Sequence, residues 1–353
     1  MTEMRERVQS LRCPDCQGGV NWQDDEHLSC TNCGRLFSPS QGIWDFLPLA
    51  VGHRSGKDRE REGWSQRVQK DKQKGWVPPP EFYLSLPDYP HPYYRSASWF
   101  LRIVVEYAKP WQGKDVLELG AAECWATRRF AEAGARAVAL DYDPDRMLRA
   151  QVLLDRLPVD FLRVRGDAER LPFRDGAFDR IFCCSVLHHF FDLPQAVREI
   201  ARTLKPGGMF IGIHEAFHPP YYRKSQILRM HEDTIPNIEA GINEQSFPPS
   251  HYRRLFEAAG MECDLLHPAW DARQETNGTL TVRPGIELDS RAPGLADHLR
   301  GCHGPKEALH RFAGYGLRLG LWASARSGLF PRIRFHILNL TTKEKILVAR
   351  KPS

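Results

Sequence analysis

The chain of 353 residues lacks three features that mark membrane, secreted and nucleic-acid-binding proteins. No apolar run approaches the ~20 residues that a membrane-spanning helix requires. The opening stretch, MTEMRERVQS, contains no apolar segment of the kind that directs secretion. The net charge is only +5, and the lysines and arginines are spread along the chain rather than clustered. We therefore expect a cytoplasmic protein without a transmembrane segment, and composition disfavours a nucleic-acid partner.

Internal repeats are also absent, and the length favours two domains with ample material for a core. Nine cysteines are present, four of them in a pattern typical of metal sites. That usage suits a reducing compartment better than a disulfide scaffold. The oligomeric state does not follow from the sequence.

The metal-like pattern lies near the start of the chain. Cys13 and Cys16 form one CxxC pair, Cys30 and Cys33 form another, and thirteen residues separate the pairs. Two such knuckles direct four thiolates to one point, which is the tetrahedral geometry of structural zinc. Since cysteine fills all four positions, we expect a Zn²⁺ site without catalysis. The alternatives are two disulfides or a site that has lost its metal.

A connector with two different halves follows the cysteine module. Residues 53–75 are dense in charge, which predicts a solvated helix or a mobile linker. Residues 76–94 are rich in proline and aromatic side chains, which predicts either a belt around the next domain or a lid over its pocket. Residues 96–108 are predicted to form a helix, with Ser96 or Ser98 as its N-cap.

The stretch from Lys114 to Pro144 predicts a strand, a turn, a helix and a second strand. The first strand carries Glu118 and reaches Gly120, and the second strand ends in Asp141. In a doubly wound sheet, such strand ends meet at the crevice that binds a ligand. Asp141 follows the turn by about 20 residues, the spacing suited to binding a ribose diol.

The turn after the first strand indicates which ligand is expected. A dinucleotide-binding turn reads G-x-G-x-x-G, which lets a pyrophosphate approach the backbone. Here only Gly120 is present, and Glu118 precedes it by two residues. A carboxylate at this place repels a pyrophosphate and suits a cation. A buried βαβ unit without a ligand is the alternative, and the later motifs disfavour it.

These later motifs complete a resemblance. The turn reads Glu118-x-Gly120-x-Ala122-x-Cys124, followed by GDAERLPF, a strand ending in Ser185 and LKPGG before a fifth strand. Over residues 114–216 this resembles class I S-adenosylmethionine (SAM) methyltransferases. The resemblance implies an α/β fold with a doubly wound, Rossmann-like seven-stranded sheet, SAM as cofactor, and an acid that accepts a bond from the adenine amine. The implied cofactor-binding residues are Glu118, Gly120, Ala121, Ala122, Asp141, Tyr142, Asp167, Ala168, Ser185 and Val186.

The cysteine module carries a resemblance of its own. With the following SPSQGIWDFLP, it resembles the zinc ribbon of the small activator subunit of tRNA and protein methyltransferases. A ribbon also begins the bacterial rRNA guanine-N1 methyltransferases. We expect the ribbon at residues 1–50, a linker and lid segment at 51–110, and a methyltransferase domain at 111–353. An insertion at about 270–333 is predicted either to pack as a helix on that domain or to lie against a lipid surface.

Three histidines are candidates for catalysis. His188 and His189 follow the fourth strand, where a histidine can remove the proton of a hydroxyl acceptor. The alternative is a structural histidine pair. His214 begins the sequence H-E-x-x-H, but prolines follow at once, so the helix that a zinc protease needs is not expected. At the end of the fifth strand, His214 is predicted to face the acceptor pocket. The rim of this pocket is expected either to be simply polar or to hold a second metal near His214 and His218 that chelates a diol acceptor.

The segment after the fourth strand also bears on the acceptor. It reads Ser185-Val186-Leu187-His188 and not the N/D-P-P-Y/F of exocyclic-amine methylases. We therefore predict a methyltransferase that acts on a small-molecule or glycan-type hydroxyl by in-line displacement. One alternative is an rRNA or tRNA methyltransferase whose ribbon holds RNA. The other is a SAM-binding scaffold that activates a partner without catalysis.

Overall fold

The computed structural model describes residues 7–50, 52–219, 222–229, 233–268, 272–274, 279–282, 319 and 345–353. The chain divides into two compact units, Met1–Leu265 with Lys345–Ser353 and Leu266–Glu344. Most of the predicted insertion at about 270–333 lies outside the described residues. Its described parts form a small antiparallel hairpin of β12 (Ala272–Gln274) and β13 (Leu280–Val282).

The first unit begins with the ribbon. Three short strands form an antiparallel sheet: β1 (Val20–Trp22), β2 (Leu28–Cys30) and β3 (Leu36–Phe37). The chain then continues into β4 (Pro39–Ser40) and β5 (Ile43–Asp45), which belong to a different and larger sheet. The ribbon segment therefore contributes two strands to the main body of the protein.

The large sheet has the order β11-β14-β10-β9-β6-β7-β8-β5-β4. Its remaining strands are β6 (Asp115–Leu119), β7 (Arg136–Asp141), β8 (Leu162–Arg165), β9 (Phe178–Cys184), β10 (Leu204–Ile213), β11 (Glu262–Leu266) and β14 (Ile346–Arg350). Strands β5 to β10 pair in parallel along the sheet, and β14 pairs antiparallel with β10. The order reverses at β6, whose neighbours are β7 and β9. Such a switch point is where doubly wound sheets bind ligands.

Ten helices are described in the parts of the chain that the structure covers. They are α1 (Arg54–Gln73), α2 (Pro80–Ser85), α3 (Pro92–Tyr107), α4 (Trp125–Glu132), α5 (Pro144–Leu148), α6 (Gln151–Arg156), α7 (Leu193–Thr203), α8 (Lys224–Ile227), α9 (Thr234–Glu239) and α10 (Pro249–Ala258). A single 3₁₀ turn, Leu187–His189, follows β9. None of these helices is long and apolar enough to cross a membrane.

The predicted N-cap of α3 is wrong. The helix begins four residues before Ser96, at Pro92, and the His91 side chain accepts from the Tyr93 N–H as its cap. Ser98 lies inside the helix, where its hydroxyl donates to Asp88. Proline at the first helical position explains the earlier start, because its fixed φ suits a helix and it needs no N–H partner.

The seven strands β6 to β11 and β14 confirm the predicted doubly wound, seven-stranded sheet. The central strands are apolar on both faces because helices cover both sides. Phe182 of β9 packs against Phe130 of α4, whose ring stacks on Trp111 with centroids 4.6 Å apart. This core holds the carboxyl ends of β6, β7 and β9 at one edge, where the predicted site residues lie.

Candidate functional site

The turn after β6 is built on left-handed backbone. Gly120, Ala122 and Cys124 have φ values of 61°, 46° and 55°. A Cβ on Gly120 would lie 2.6 Å from Cγ2 of Val186, so only glycine fits between the ends of β6 and β9. Ala122 and Cys124 adopt a conformation that costs an L-residue about 1–2 kcal/mol. The shape of a glycine-rich turn is therefore kept although two glycines are replaced.

Asp141 connects this turn to the end of β7. Its Oδ2 accepts from the Ala122 N–H at 2.7 Å, and its Oδ1 accepts from the Asp143 N–H at 2.8 Å. Burial raises the pKa of Asp141 to about 6. The carboxylate therefore lies against the turn and keeps acceptor capacity for the hydroxyls of a sugar.

Glu118 is buried beneath the same turn. Its Oε2 accepts from the Thr127 N–H at 2.6 Å and also from the Thr127 hydroxyl. Burial raises the pKa of Glu118 to about 8, and the charge of Asp141 adds to the shift. Glu118 therefore contacts the first turn of α4 through Thr127. Burial opposes the ionisation of both acids, and a cationic ligand beside them would favour their ionised forms.

The predicted adenine-binding acid has a partner that the sequence did not indicate. Both oxygens of Asp167 accept from Nζ of Lys57 at 2.8 Å, and Nζ also lies 2.8 Å from Oε2 of Glu169. All three side chains are buried. Lys57 belongs to α1, so this helix lies against the chain that follows the carboxyl end of β8. The Tyr142 hydroxyl donates to Asp58 of the same helix at 2.8 Å.

For residues 53–75, the structure shows the predicted helix and not a mobile linker, but one face of this helix is covered. A Cβ on Gly56 would lie 2.6 Å from the Phe191 ring, and one on Gly63 would lie 2.5 Å from the Ala240 carbonyl oxygen. Two glycines seven residues apart share a helix face. That spacing was the available signal that this charged helix packs closely on the domain.

His188 is held by a buried carboxylate. Its Nδ1 lies 2.8 Å from Oε2 of Glu215, and Oε1 of Glu215 accepts from the N–H groups of Val186 and Leu187. Burial raises the pKa of Glu215, but the hydrogen bond and charge of His188 outweigh burial and leave the pKa below its ordinary value. An ionised Glu215 keeps the proton on Nδ1 and leaves the Nε2 lone pair free to act.

His189 is oriented in a similar way. Its Nδ1 lies 2.8 Å from the carbonyl oxygen of Asn243 and 3.0 Å from Oε1 of Glu60. Burial lowers the pKa of His189, but Glu60 and Glu244 outweigh it and the net pKa is raised. Glu60 comes from α1 and was not predicted as a site residue. The histidine pair therefore lies between the sheet and α1.

His214 faces a different set of neighbours. Its ring packs against Phe100 and Tyr93, with centroids 4.9 and 5.4 Å apart. Residues 214–218 are not helical, as predicted, and Nδ1 of His218 lies 2.9 Å from the Pro219 carbonyl oxygen. Among the described residues, neither group of potential metal ligands contains His214 or His218.

The aromatic half of the connector also approaches the strand ends. The Tyr93 hydroxyl lies 3.6 Å from Sγ of Cys184, the last residue of β9. Around it, rings contact one another edge to face among Trp76, Phe82, Tyr83, Tyr89 and Tyr94. The segment therefore covers the domain, and its end at Tyr93 also lies at the edge of the sheet where the site residues gather.

The ribbon brings its four thiols together. Sγ of Cys13 lies 3.7 Å from Sγ of Cys33, and Sγ of Cys16 lies 3.4 Å from Sγ of Cys30. The four sulfurs lie within 4.8 Å of one another. An all-sulfur set of this size fits a tetrahedral Zn²⁺ ion without an open position. The arrangement suggests a structural metal site.

The comparisons with known proteins agree with this geometry. The family model described as "Methyltransferase domain" matches residues 117–212. A probable S-adenosylmethionine-dependent methyltransferase of Mycolicibacterium smegmatis is 32% identical over 116 residues, which are 32% of this chain and 44% of that protein. The demethylmenaquinone methyltransferase of Renibacterium salmoninarum is 30% identical over 158 residues, which are 44% and 63% of the two chains.

The YcgJ protein of Bacillus subtilis superposes with a TM-score of 0.44 at 17% identity, over 73% of this chain and 99% of that one. The chain spans less than two thirds of the length of the curated relatives that it matches here. The matched residues contain the glycine turn, Asp141, Asp167 and the histidine pair, and the comparisons support a class I, SAM-dependent methyltransferase domain over residues 117–212.

Proposed function

We propose that the protein is a SAM-dependent methyltransferase that transfers a methyl group to a hydroxyl of a small-molecule or glycan-type acceptor. The observation that carries the hydroxyl assignment is the His188–Glu215 pair at the end of β9. A hydroxyl must lose its proton during transfer, and a histidine held in one tautomer by a buried carboxylate is a suitable base. The same orienting contact, carboxylate to Nδ1, serves the base of serine proteases.

The residues around the turn fit SAM. Asp141 has acceptor positions for the ribose hydroxyls, and Gly120, which has no Cβ, lets Val186 pack closely against the turn. Asp167 uses three of its roughly four lone-pair positions on Lys57 and on the Glu169 N–H. One position on Oδ2 is left for the amine of adenine. A sulfonium beside them would lower the raised pKa values of Glu118 and Asp141, so that both would be ionised and balance its charge.

When bound, SAM supplies a methyl group that is already activated, so the protein mainly has to align the acceptor and accept its proton. His188 is buried, which keeps bulk water away from Nε2. Nε2 takes up the hydroxyl proton while Glu215 stabilises the imidazolium that forms. Tyr93 and its aromatic neighbours supply an apolar wall at the same edge of the sheet.

The test uses tritiated SAM with fractionated cell extract, followed by assays on the acceptor fraction. We expect label in the small-molecule or glycan fraction and loss of turnover by about 10²–10⁴-fold in His188→Ala. SAM affinity, measured by calorimetry, should stay within about twofold of wild type. His251→Ala is the matched control and should transfer normally. Label in RNA, or full turnover in His188→Ala, would refute the proposal.

A further inference from the structure

A second group of potential metal ligands lies apart from the cysteines. One ligand atom each from His188, His189 and Glu244 lies within 4.8 Å of the others. Nε2 of His188 is 3.9 Å from Oε2 of Glu244, and the two imidazole centroids are 4.2 Å apart. His188 is buried and the other two are half-buried. The group therefore combines two nitrogens and one oxygen within reach of a single ion.

Each of the three side chains is fixed by a partner behind it. Nδ1 of His188 faces Glu215 and Nδ1 of His189 faces the Asn243 carbonyl, both at 2.8 Å. Both imidazoles therefore carry their proton on Nδ1 and present the Nε2 lone pair. Glu244 accepts on Oε1 from the Asn237 amide, which leaves Oε2 facing His188.

Such backing contacts are what metal ligands in proteins usually have. A ligating histidine donates its other N–H to a carboxylate or a backbone carbonyl, and a ligating carboxylate is itself hydrogen-bonded. The Asn237 amide oxygen is in turn bonded by Arg67 of α1. A structural histidine pair needs only such hydrogen bonds, whereas here one ligand atom from each of the three side chains also lies within 4.8 Å of the others.

We propose that His188, His189 and Glu244 bind one divalent transition-metal ion, in addition to the ion of the cysteine site. Two histidines and one carboxylate leave coordination positions open for a ligand from solution. An oxygen ligand at an open position would have its proton affinity lowered by the ion. Binding itself goes beyond the proposed function. An ion on Nε2 of His188 would replace that general base by metal activation of the acceptor hydroxyl, and only this use rests on the proposed function. The ion and a proton compete for Nε2 of His188.

The test measures metal without any turnover. Full-length protein is loaded with zinc, dialysed and titrated with Co²⁺, with metal content determined by mass spectrometry and the cobalt spectrum recorded. We expect one cobalt in addition to one zinc, with a spectrum that lacks thiolate charge-transfer bands. Glu244→Gln should weaken the cobalt site by about 10–100-fold. Glu239→Gln, an exposed change on α9, should bind as wild type does.

Several outcomes would overturn the inference. They are the absence of a second equivalent in wild type, a second equivalent with thiolate bands, or unchanged cobalt affinity in Glu244→Gln. His189→Gln is a second variant, because its amide can keep the bond to Asn243 while losing Nε2, and it should also lose cobalt. Thermal unfolding of each variant verifies that it is folded. The metal titration contains neither SAM nor acceptor. A failed methyl-transfer assay would therefore not affect the metal proposal, and a failed metal titration would not affect the proposed methyl transfer.

Discussion

At the scale of single residues, the cofactor turn is a strained structure kept without its usual glycines. Ala122 and Cys124 hold left-handed φ values that glycine would adopt freely. In this turn the Ala122 N–H donates to Asp141 at 2.7 Å. The strained conformation therefore also helps to position Asp141, which is predicted to bind the ribose. Strain of this kind persists where neighbouring structure determines the backbone.

Replacement of Ala122 by glycine should relieve that strain. We expect Ala122→Gly to raise the free energy of unfolding by about 1 kcal/mol, because glycine has no Cβ penalty at φ 46°. Ala121→Gly is the control, since its φ is not left-handed, and it should lose about 0.5–1 kcal/mol. Urea unfolding measures both. Equal losses in the two variants would contradict the assignment of strain to Ala122.

Asp141 should make SAM binding depend on pH. Its pKa is about 6 in the folded protein against an ordinary 3.8, so the free folded state holds a proton between about pH 4 and 6 that the unfolded chain has lost. The free protein therefore loses stability as pH rises through that window. Sugar hydroxyls bind the ionised form, so SAM affinity should increase as pH rises from 5 to 7.

Calorimetry in buffers of different ionisation enthalpy checks this dependence. We expect proton release on SAM binding near pH 6, and a flat affinity profile in Asp141→Asn. Asp141→Ala should weaken binding at pH 7 by roughly 1–3 kcal/mol. Asp145→Asn, a change of an exposed acid on α5, should keep the wild-type profile. An affinity that falls towards pH 7 would show that Asp141 does not bind SAM.

At the scale of elements, α1 is the helix whose role in the structure differs most from the role that its sequence predicts. Its charge density indicates a solvated helix, yet it contributes contacts to four parts of the site. Lys57 meets Asp167, Asp58 meets Tyr142, Glu60 meets His189, and Arg67 meets Asn237. Four charged side chains of this helix therefore serve as partners for groups of the domain, while the opposite face of the helix stays exposed to solvent.

Removal of the Lys57 ammonium should destabilise the protein strongly. Lys57→Met leaves Asp167 and Glu169 buried without their cation, and breaking a buried ion pair costs about 3–5 kcal/mol. Lys70→Met changes an exposed lysine of the same helix and should cost no more than about 0.5 kcal/mol. Urea unfolding at pH 7 compares the two. Similar values for both variants would mean that α1 does not cover Asp167 in solution.

At the scale of the whole molecule, the ribbon is joined to the catalytic sheet by backbone pairing. Strand β5 pairs in parallel with β8, and Arg165 of β8 bridges to Asp45 of β5 at 2.9 Å. The Phe37 ring of the ribbon stacks on Phe46 with centroids 4.1 Å apart. Loss of the ribbon would therefore expose both an edge of the sheet and part of its apolar cover.

Metal removal should consequently affect the entire unit. We expect a chelator to lower the melting temperature of the protein in one cooperative transition, because structural zinc contributes directly to folding. Scanning calorimetry with and without chelator is the measurement. Cys30→Ser should lower the melting temperature in the same way, and adding chelator to this variant should not lower it further. A separate low-temperature transition for the ribbon alone would contradict coupling through β5 and β8.

Much of the fold was predictable because its signals are local. The run of apolar residues before Glu118, the glycine at 120 and the acids at 141 and 167 follow strand and turn chemistry that operates within a few residues. The CxxC pairs are equally local. The N-cap of α3 was mispredicted because proline at position 92 starts the helix earlier than Ser96 does.

Partners across the site were not predictable in the same way. Glu215 was noticed as the acid of H-E-x-x-H, yet its contact is with His188, 27 positions earlier in the chain. Lys57 reaches Asp167 over 110 positions. No periodicity or spacing encodes such pairs, because they depend on where the sheet brings separate strand ends together.

The sequence by itself determined the succession of strands and helices along the main domain, the acids at its strand tips and the four-cysteine module. These features rest on periodicity, turn residues and ligand spacing, which act within short segments. Only the tertiary structure decided that α1 supplies Lys57 and Glu60, and that Glu215 orients His188. A buried charge needs a partner close to it in space. In this protein such partners come from residues that lie far apart in the sequence.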